Sequence, residues 1–300
     1  MYRRQCRGRY NGGMSLSFKL SKPLDPPTTD GTLKVLVTGA GGSIGSYFAS
    51  HNEDRFDLRL GCHGEEEAQT VGEYGETVQL DVTDLDSCKA ACEGVDVVLH
   101  LAADPSPYAA WDTLLPINIV GTYNIFAAAK AAGVKRVVYA SSIHAISGHA
   151  RDRQVNTAEP VNPGDLYGVT KCFGEAMGRY MAEQEGVACI VIRIGAFQPR
   201  KKVKEEGMLN LLDAFVSRRD LNQLLQKAVR AEHLQFAIVQ GLSDNQFKRM
   251  DIQTARDLLG YEPVDDLTEM NPDLEKLHLH DAVMSHALPS EDKSGLRNDV

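Results

Sequence analysis

Long apolar runs, paired cysteines and aromatic residues are all scarce in this 300-residue chain, and each scarcity closes off a class of protein. No stretch approaches the roughly 20 apolar residues a membrane-crossing helix requires, and the N-terminus lacks the apolar block of a secretory signal. A cytoplasmic protein without a membrane partner is expected. The six cysteines, Cys6, Cys62, Cys88, Cys92, Cys172 and Cys189, form no C-x-x-C pairs. That spacing excludes zinc knuckles, and a chain of this length needs no disulfide staples, so reduced thiols and no metal are expected. Aromatics make up only 7% of the residues, against 43% hydrophobic and 24% charged. Such a composition belongs to a globular chain, not to a disordered or collagen-like one.

Acidic residues are missing from the first 22 positions, which hold Arg3, Arg4, Arg7, Arg9, Lys19 and Lys22. Setting these six aside takes the net charge from −9 for the whole chain to −15 for the rest. An acidic body repels phosphates, which argues against a nucleic-acid partner. The basic leader fits organelle targeting, and fits equally a disordered extension or a start at Met14.

From Lys34 onward, β-branched apolar runs alternate with helical spacing. The runs fall at Lys34–Thr38, Leu58–Gly61, Thr77–Leu80, Val95–Leu101, Arg136–Ser141 and Cys189–Ile194; helical stretches include Asn118–Ala132 and Tyr167–Glu185. Continuous apolar runs such as Ala188-Cys-Ile-Val-Ile-Arg-Ile194 suit strands buried on both faces. The reading is an α/β fold, a doubly wound parallel sheet of Rossmann-like type. Its expected parts are a basic extension over 1–32, a dinucleotide-binding core over 33–195, an interleaved substrate-binding region over 196–270 and a polar, mobile tail over 271–300.

Three motifs carry chemistry. The first strand runs into Gly39-Ala-Gly-Gly42-Ser43-Ile44-Gly45, with glycines three apart. Gly39 permits a tight turn, Gly42 lets backbone approach a pyrophosphate, and Gly45 lets helix and strand pack closely. Tyr167-Gly-Val-Thr-Lys171 puts a phenol and an ammonium four residues apart on one helix face. A cation there is expected to lower the phenol pKa toward neutrality, so that it can take a hydroxyl proton, while the same lysine bonds a cofactor ribose. The strand Arg136-Val-Val-Tyr-Ala-Ser141-Ser142 ends in hydroxyls at the carboxyl edge of the sheet, where such folds bind ligands. His100 is expected to pack in the core and His144 to touch substrate. The histidines of the tail, His278, His280 and His286, converge on no predicted element.

With Asp81-Val82, His100-Leu101-Ala102-Ala103 and Asn118 added, the chain resembles the extended short-chain dehydrogenase/reductases of the NAD-dependent epimerase/dehydratase group over residues 34–267. The resemblance implies that Asp81 and Val82 edge an adenine, that Leu101, Ala102, Ala103 and Ile194 line the cofactor, and that Asn118 supports the site. It also implies that Ser142, Tyr167 and Lys171 perform the chemistry in a homo-oligomer. Within the group the sequence most resembles uronate dehydrogenases, through Cys172-Phe-Gly-Glu175, Arg193-Ile-Gly195, Ser217-Arg-Arg-Asp220 and Asp257-Leu-Leu-Gly-Tyr261. The implied activity is hydride transfer between NAD(P) and the carbinol of a sugar or sugar acid, with Ser106, Ser142, Ile143, His144 and Arg200 facing the substrate. A nucleotide-sugar epimerase or dehydratase using bound NAD, or a non-catalytic dinucleotide sensor, would share much of this pattern.

Departures from the uronate dehydrogenases bear on substrate and cofactor. Ile143 stands where they carry Asn, Ala196 where they carry Ser, and Gly207 where an arginine clamps the sugar carboxylate; Arg200-Lys-Lys202 is a candidate replacement for that anion site. Cys62 stands where they carry the ribose-binding Asp. Losing that acid, with Glu65 nearby as a substitute, gives the expectation that NAD and NADP are both accepted, differing by no more than about 100-fold.

Overall fold

The computed structural model describes residues 32–199, 202–203 and 208–271. The basic extension up to residue 31, Arg200, Lys201, Gly207 and the tail from residue 272, with its histidines, lie outside the described residues.

Seven parallel strands form the main sheet. They are β1 (Lys34–Thr38), β2 (Asp57–Cys62), β3 (Glu76–Gln79), β4 (Val97–His100), β5 (Arg136–Ser142), β6 (Ala188–Ile194) and β9 (Phe236–Gly241), in the order β3-β2-β1-β4-β5-β6-β9. Winding runs outward in one direction through β2 and β3, then reverses from β1 to β4, which leaves a crevice at the carboxyl ends of those two strands. The fold is a doubly wound, Rossmann-like α/β sheet. A second, two-stranded sheet pairs β7 (Ala196–Gln198) with β8 (Phe215–Ser217).

Alternation along the strands splits the core in two. Val35, Val37, Leu58 and Leu60 point to one face and pack with α1 (Ser43–Ser50), α7 (Arg218–Val229) and α8 (Gln253–Leu259). Leu36, Val98, Val137 and Val191 point to the other, against α3 (Leu85–Cys92), α5 (Thr122–Ala131) and α6 (Leu166–Gln184). Burial on both faces explains why the central strands read as continuous apolar runs. The shorter helices are α2 (Glu65–Val71), α4 (Trp111–Leu114) and α9 (Leu267–Met270).

Two elements depart from the sequence reading. The stretch expected as helix over Asn118–Ala132 is helical but not uniform: it is the end of a π-helical segment, Leu115–Gly121, followed by α5, with α4 directly before it. Pro116 lies at the start of the widened segment, where its missing N–H and ring disfavour a regular turn. Beyond Gly195, where the pattern fades, the chain returns to the main sheet as β9, paired along its whole length with β6.

Candidate active site and cofactor cleft

Two clefts meet over the glycine loop, sharing Gly39, Gly42, Leu101 and Ala103. The larger, about 650 Å³, is walled by Ser142, Ile143, His144, Tyr167, Lys171 and Ile194, among others. The smaller, about 500 Å³, is walled by Asp81, Val82, Ala102 and the end of β2.

The loop's shape follows from its glycines. Gly39 adopts φ +64°, and a β-carbon there would stand 3.0 Å from the Ala102 backbone. A β-carbon on Gly45 would lie 2.4 Å from the Gly39 carbonyl oxygen, so α1 can begin this close to β1 only without one. Gly42 occupies the N-cap of α1 and has no side chain to cap it, so the first-turn N–H groups are left without a side-chain partner at a helix start that lines the clefts. Backbone donors at a helix N-terminus, open at both sides to a long cleft, fit a dinucleotide pyrophosphate.

Thr38 and His100 hold the floor beneath. The Thr38 hydroxyl accepts from the N–H groups of Leu101 and Ala102, both at 3.1 Å, which leaves its proton for His100 Nδ1 at 2.8 Å. His100 is therefore an acceptor at Nδ1, neutral and buried, with burial pushing its pKa down to about 3. It is a core residue, as expected.

On the other wall, α6 opens at Asp165, whose Oδ1 accepts from Gly168 N at 2.7 Å. Gly168 allows this helix end to approach the His144 carbonyl, 2.2 Å from where a β-carbon would stand. Tyr167 and Lys171 then project from adjacent turns. Ser142 and Tyr167 line the same cleft, and Lys171 Nζ donates to the Ala140 carbonyl at 2.8 Å while lying 5.5 Å from the Tyr167 ring centre. Serine, phenol and amine thus converge at the carboxyl edge of β5.

Their protonation differs from the sequence expectation. Burial pushes the Tyr167 phenol up to about 12, opposed by the neighbouring Ser142 hydroxyl and reinforced by Asp165 and Asp104. Burial also pulls Lys171 down to about 7. Burial leaves the amine only partly charged at neutral pH, where spacing alone implied a permanent cation.

Other predicted residues take varied positions. His144 lines the larger cleft, its Nδ1 2.6 Å from Asp165 Oδ2 and its ring edge-on to Tyr167. Asn118 is buried, tying the Asp104 main chain to Thr170, whose hydroxyl donates to the Tyr167 carbonyl; it braces the site from behind. Ser106 is not among the residues lining either cleft; its hydroxyl accepts from Tyr108 N in a local turn. Behind the wall, Arg193 and Glu175 form a buried two-point ion pair at 2.7 and 2.8 Å, and Glu175 also accepts from Ser141.

Sequence reasoning missed Asp165 and Glu67. Asp165 carried a helix N-cap signal, an acidic residue just ahead of an apolar-periodic stretch. At the end of β2, Cys62 and Glu65 line a separate hollow of about 290 Å³, whereas His63 and Glu67 line the cofactor cleft. Two acids, Glu67 and Asp81, line that cleft, and Glu65, offered by the sequence as a substitute, lines the neighbouring hollow instead.

Comparison with known proteins agrees with this geometry. The sequence profile described as NAD dependent epimerase/dehydratase family matches residues 35–228. The NAD-dependent glucose-6-phosphate dehydrogenase of Haloferax volcanii is 35% identical over 250 residues, covering 78% of this chain and 94% of that protein. The L-arabinose 1-dehydrogenase (NAD(P)(+)) of the same organism is 34% identical over 251 residues, covering 77% and 96%. Among solved structures, the uronate dehydrogenase from Agrobacterium tumefaciens matches with a TM-score of 0.73 at 28% identity, covering 86% of this chain and 92% of that one. The glycine loop, the Ser142–Tyr167–Lys171 cluster and the profile match together place the chain in the NAD-dependent epimerase/dehydratase family.

Proposed function

We propose that the protein is an NAD-dependent dehydrogenase that oxidises a carbinol of a sugar or sugar acid. The observation that carries this reading is the meeting of Ser142, Tyr167 and Lys171 on the wall of a cleft that continues over the glycine loop. Gly39, Gly42, Ser43, Ile44 and Gly45 would hold the pyrophosphate, Asp81 and Val82 the adenine, and Leu101 to Ala103, Ile194 and Lys171 the remainder. Bound NAD supplies the hydride acceptor.

In this reading Ser142 holds the substrate oxygen and Tyr167 takes its proton as the carbinol carbon gives up hydride, leaving a carbonyl. With the phenol at about 12 and the amine at about 7, the resting proton sits on Tyr167 at neutral pH. Turnover then requires positive charge near Oη, and Lys171 supplies it in its protonated form. Activity lost as pH falls reports the phenol, not the lysine.

The relatives named as glucose-6-phosphate, arabinose and uronate dehydrogenases support a sugar as substrate. Ile143 and Ala196 line the substrate cleft as apolar groups, which weakens the case for uronate specifically. Exposed Trp111, Leu115, Tyr123, Leu166 and Val169, along α4 to α5 and on α6, support a homo-oligomer. Buried, unbridged thiols at Cys88, Cys92 and Cys189 suit a reducing, cytoplasmic setting. Purified protein assayed with NAD against aldoses, sugar phosphates and uronates, followed by the absorbance of reduced nicotinamide, tests the reading. Reduction with at least one of these classes is expected, and none with any of them would refute it.

A further inference from the structure

We infer that Glu67, on helix α2, reads the 2′ position of the cofactor's adenosine ribose and makes this site selective for NAD over NADP. The inference rests on the proposed dinucleotide reading of the cleft and reverses the relaxed cofactor choice expected from the sequence.

In this chain the strand-end position offers no acid. Cys62 is buried, and its thiol is directed at the Leu60 carbonyl. The carboxylate comes instead from the first turn of α2. Glu67 Oε2 accepts from His63 N at 2.8 Å, which fixes it at the mouth of the cleft between the end of β2 and the glycine loop. Its stem lies on the loop itself, because a β-carbon on Gly41 would stand 2.6 to 2.9 Å from Glu67 Cγ, Cβ and Cδ. Gly41 is not one of the three glycines spaced for the phosphate turn, and the seat it provides for Glu67 accounts for it.

Oε1 has no protein donor among the described residues, so it is left to accept from a ligand. A ribose diol brings two hydroxyl donors, which a carboxylate satisfies. A 2′-phosphate brings only acceptors and further negative charge, and like charges set face to face in a cleft are strongly unfavourable. Asp81 adds a second acid to the same wall, held well below the usual carboxylate range by the Thr83 hydroxyl and N–H. Among the described residues of that wall there is no lysine or arginine to offset a phosphate; the sole candidate cation is His63.

The test is binding, independent of turnover. The full chain and its Glu67→Gln and Glu67→Lys variants are titrated with NADH and NADPH by calorimetry, and with 5′-AMP and adenosine 2′,5′-bisphosphate, which occupy only the adenosine end. We expect NADPH to bind the unaltered protein roughly a hundredfold or more weaker than NADH. Glutamine keeps an acceptor for His63 N but removes the charge, so the ratio should fall below about tenfold with NADH affinity changed only slightly; lysine should bring NADPH to or above parity. The two fragments should repeat the pattern. If Glu67 merely caps α2, both dinucleotides weaken together and the ratio stays put, which overturns the inference while leaving the cofactor reading intact. If the unaltered protein binds neither dinucleotide, the cofactor reading falls and takes the inference with it.

Discussion

Replacing Lys171 with methionine should make the cofactor-free protein more stable while ending its activity. Lys171 is buried between Tyr139 and Tyr167, with one hydrogen bond, to the Ala140 carbonyl. Burial takes its pKa from the ordinary 10.5 to about 7. Between those values the unfolded chain binds a proton that the folded chain does not, so stability rises with pH across the window. The destabilisation is fully present below about 7 and gone above about 10.5. A gap of about 3.5 units corresponds to about 5 kcal/mol. Methionine fills a similar volume but forfeits the bond to Ala140 and the contact of charge with two rings, together about 2 to 3 kcal/mol. The variant should therefore be more stable by about 2 kcal/mol at neutral pH and below. Urea unfolding of both proteins from pH 6 to 9 measures this, and the unaltered protein should gain on the variant by about 1.4 kcal/mol per unit above pH 7. A variant less stable than its parent at pH 6, or one that follows it in parallel across the range, would refute the claim that the amine is held in a dry site against its preference.

Breaking the Arg193–Glu175 pair should do the opposite. Glu175→Gln leaves a buried guanidinium without its counter-charge and should lose about 3 to 5 kcal/mol, read by denaturant unfolding; a loss under about 1 kcal/mol would mean the arginine finds water or another acceptor. Asp165→Asn keeps an acceptor for Gly168 N but removes the charge facing His144, so KM for the sugar should rise about tenfold while NADH affinity stays unchanged. A shift confined to NADH binding would detach His144 from the substrate.

The central strands and the first turn of α6 were legible because each obeys a local rule. Strands buried on both faces become unbroken apolar runs, and a phenol and ammonium four residues apart on a helix share a face wherever that helix packs. What escaped the sequence depended on neighbours remote along the chain. β9 is six residues in an irregular stretch, and only its pairing with β6 makes it part of the sheet. Glu67 stands third in a run of three glutamates at a helix start, a pattern that reads as an ordinary solvated turn. The β-carbon clash over Gly41 singles it out, and no spacing rule encodes that. The protonation of Tyr167 and Lys171 went astray for a related reason: spacing reports proximity, whereas burial, for Lys171 against Tyr139 and β5, sets how far either group can hold charge.

The central claim is that the Tyr167 phenol takes the substrate proton at a site Ser142 and Lys171 arrange around it. Single-turnover hydride transfer by Tyr167→Phe, with an accepted sugar and saturating NAD, tests it most directly when paired with NADH binding to the same variant. The hydroxyl is absent but the ring still fills its place against His144. The rate should fall by roughly 10² to 10⁴, the range of a general base, with the NADH dissociation constant essentially unaltered. Transfer at more than about a tenth of the parent rate would contradict the account.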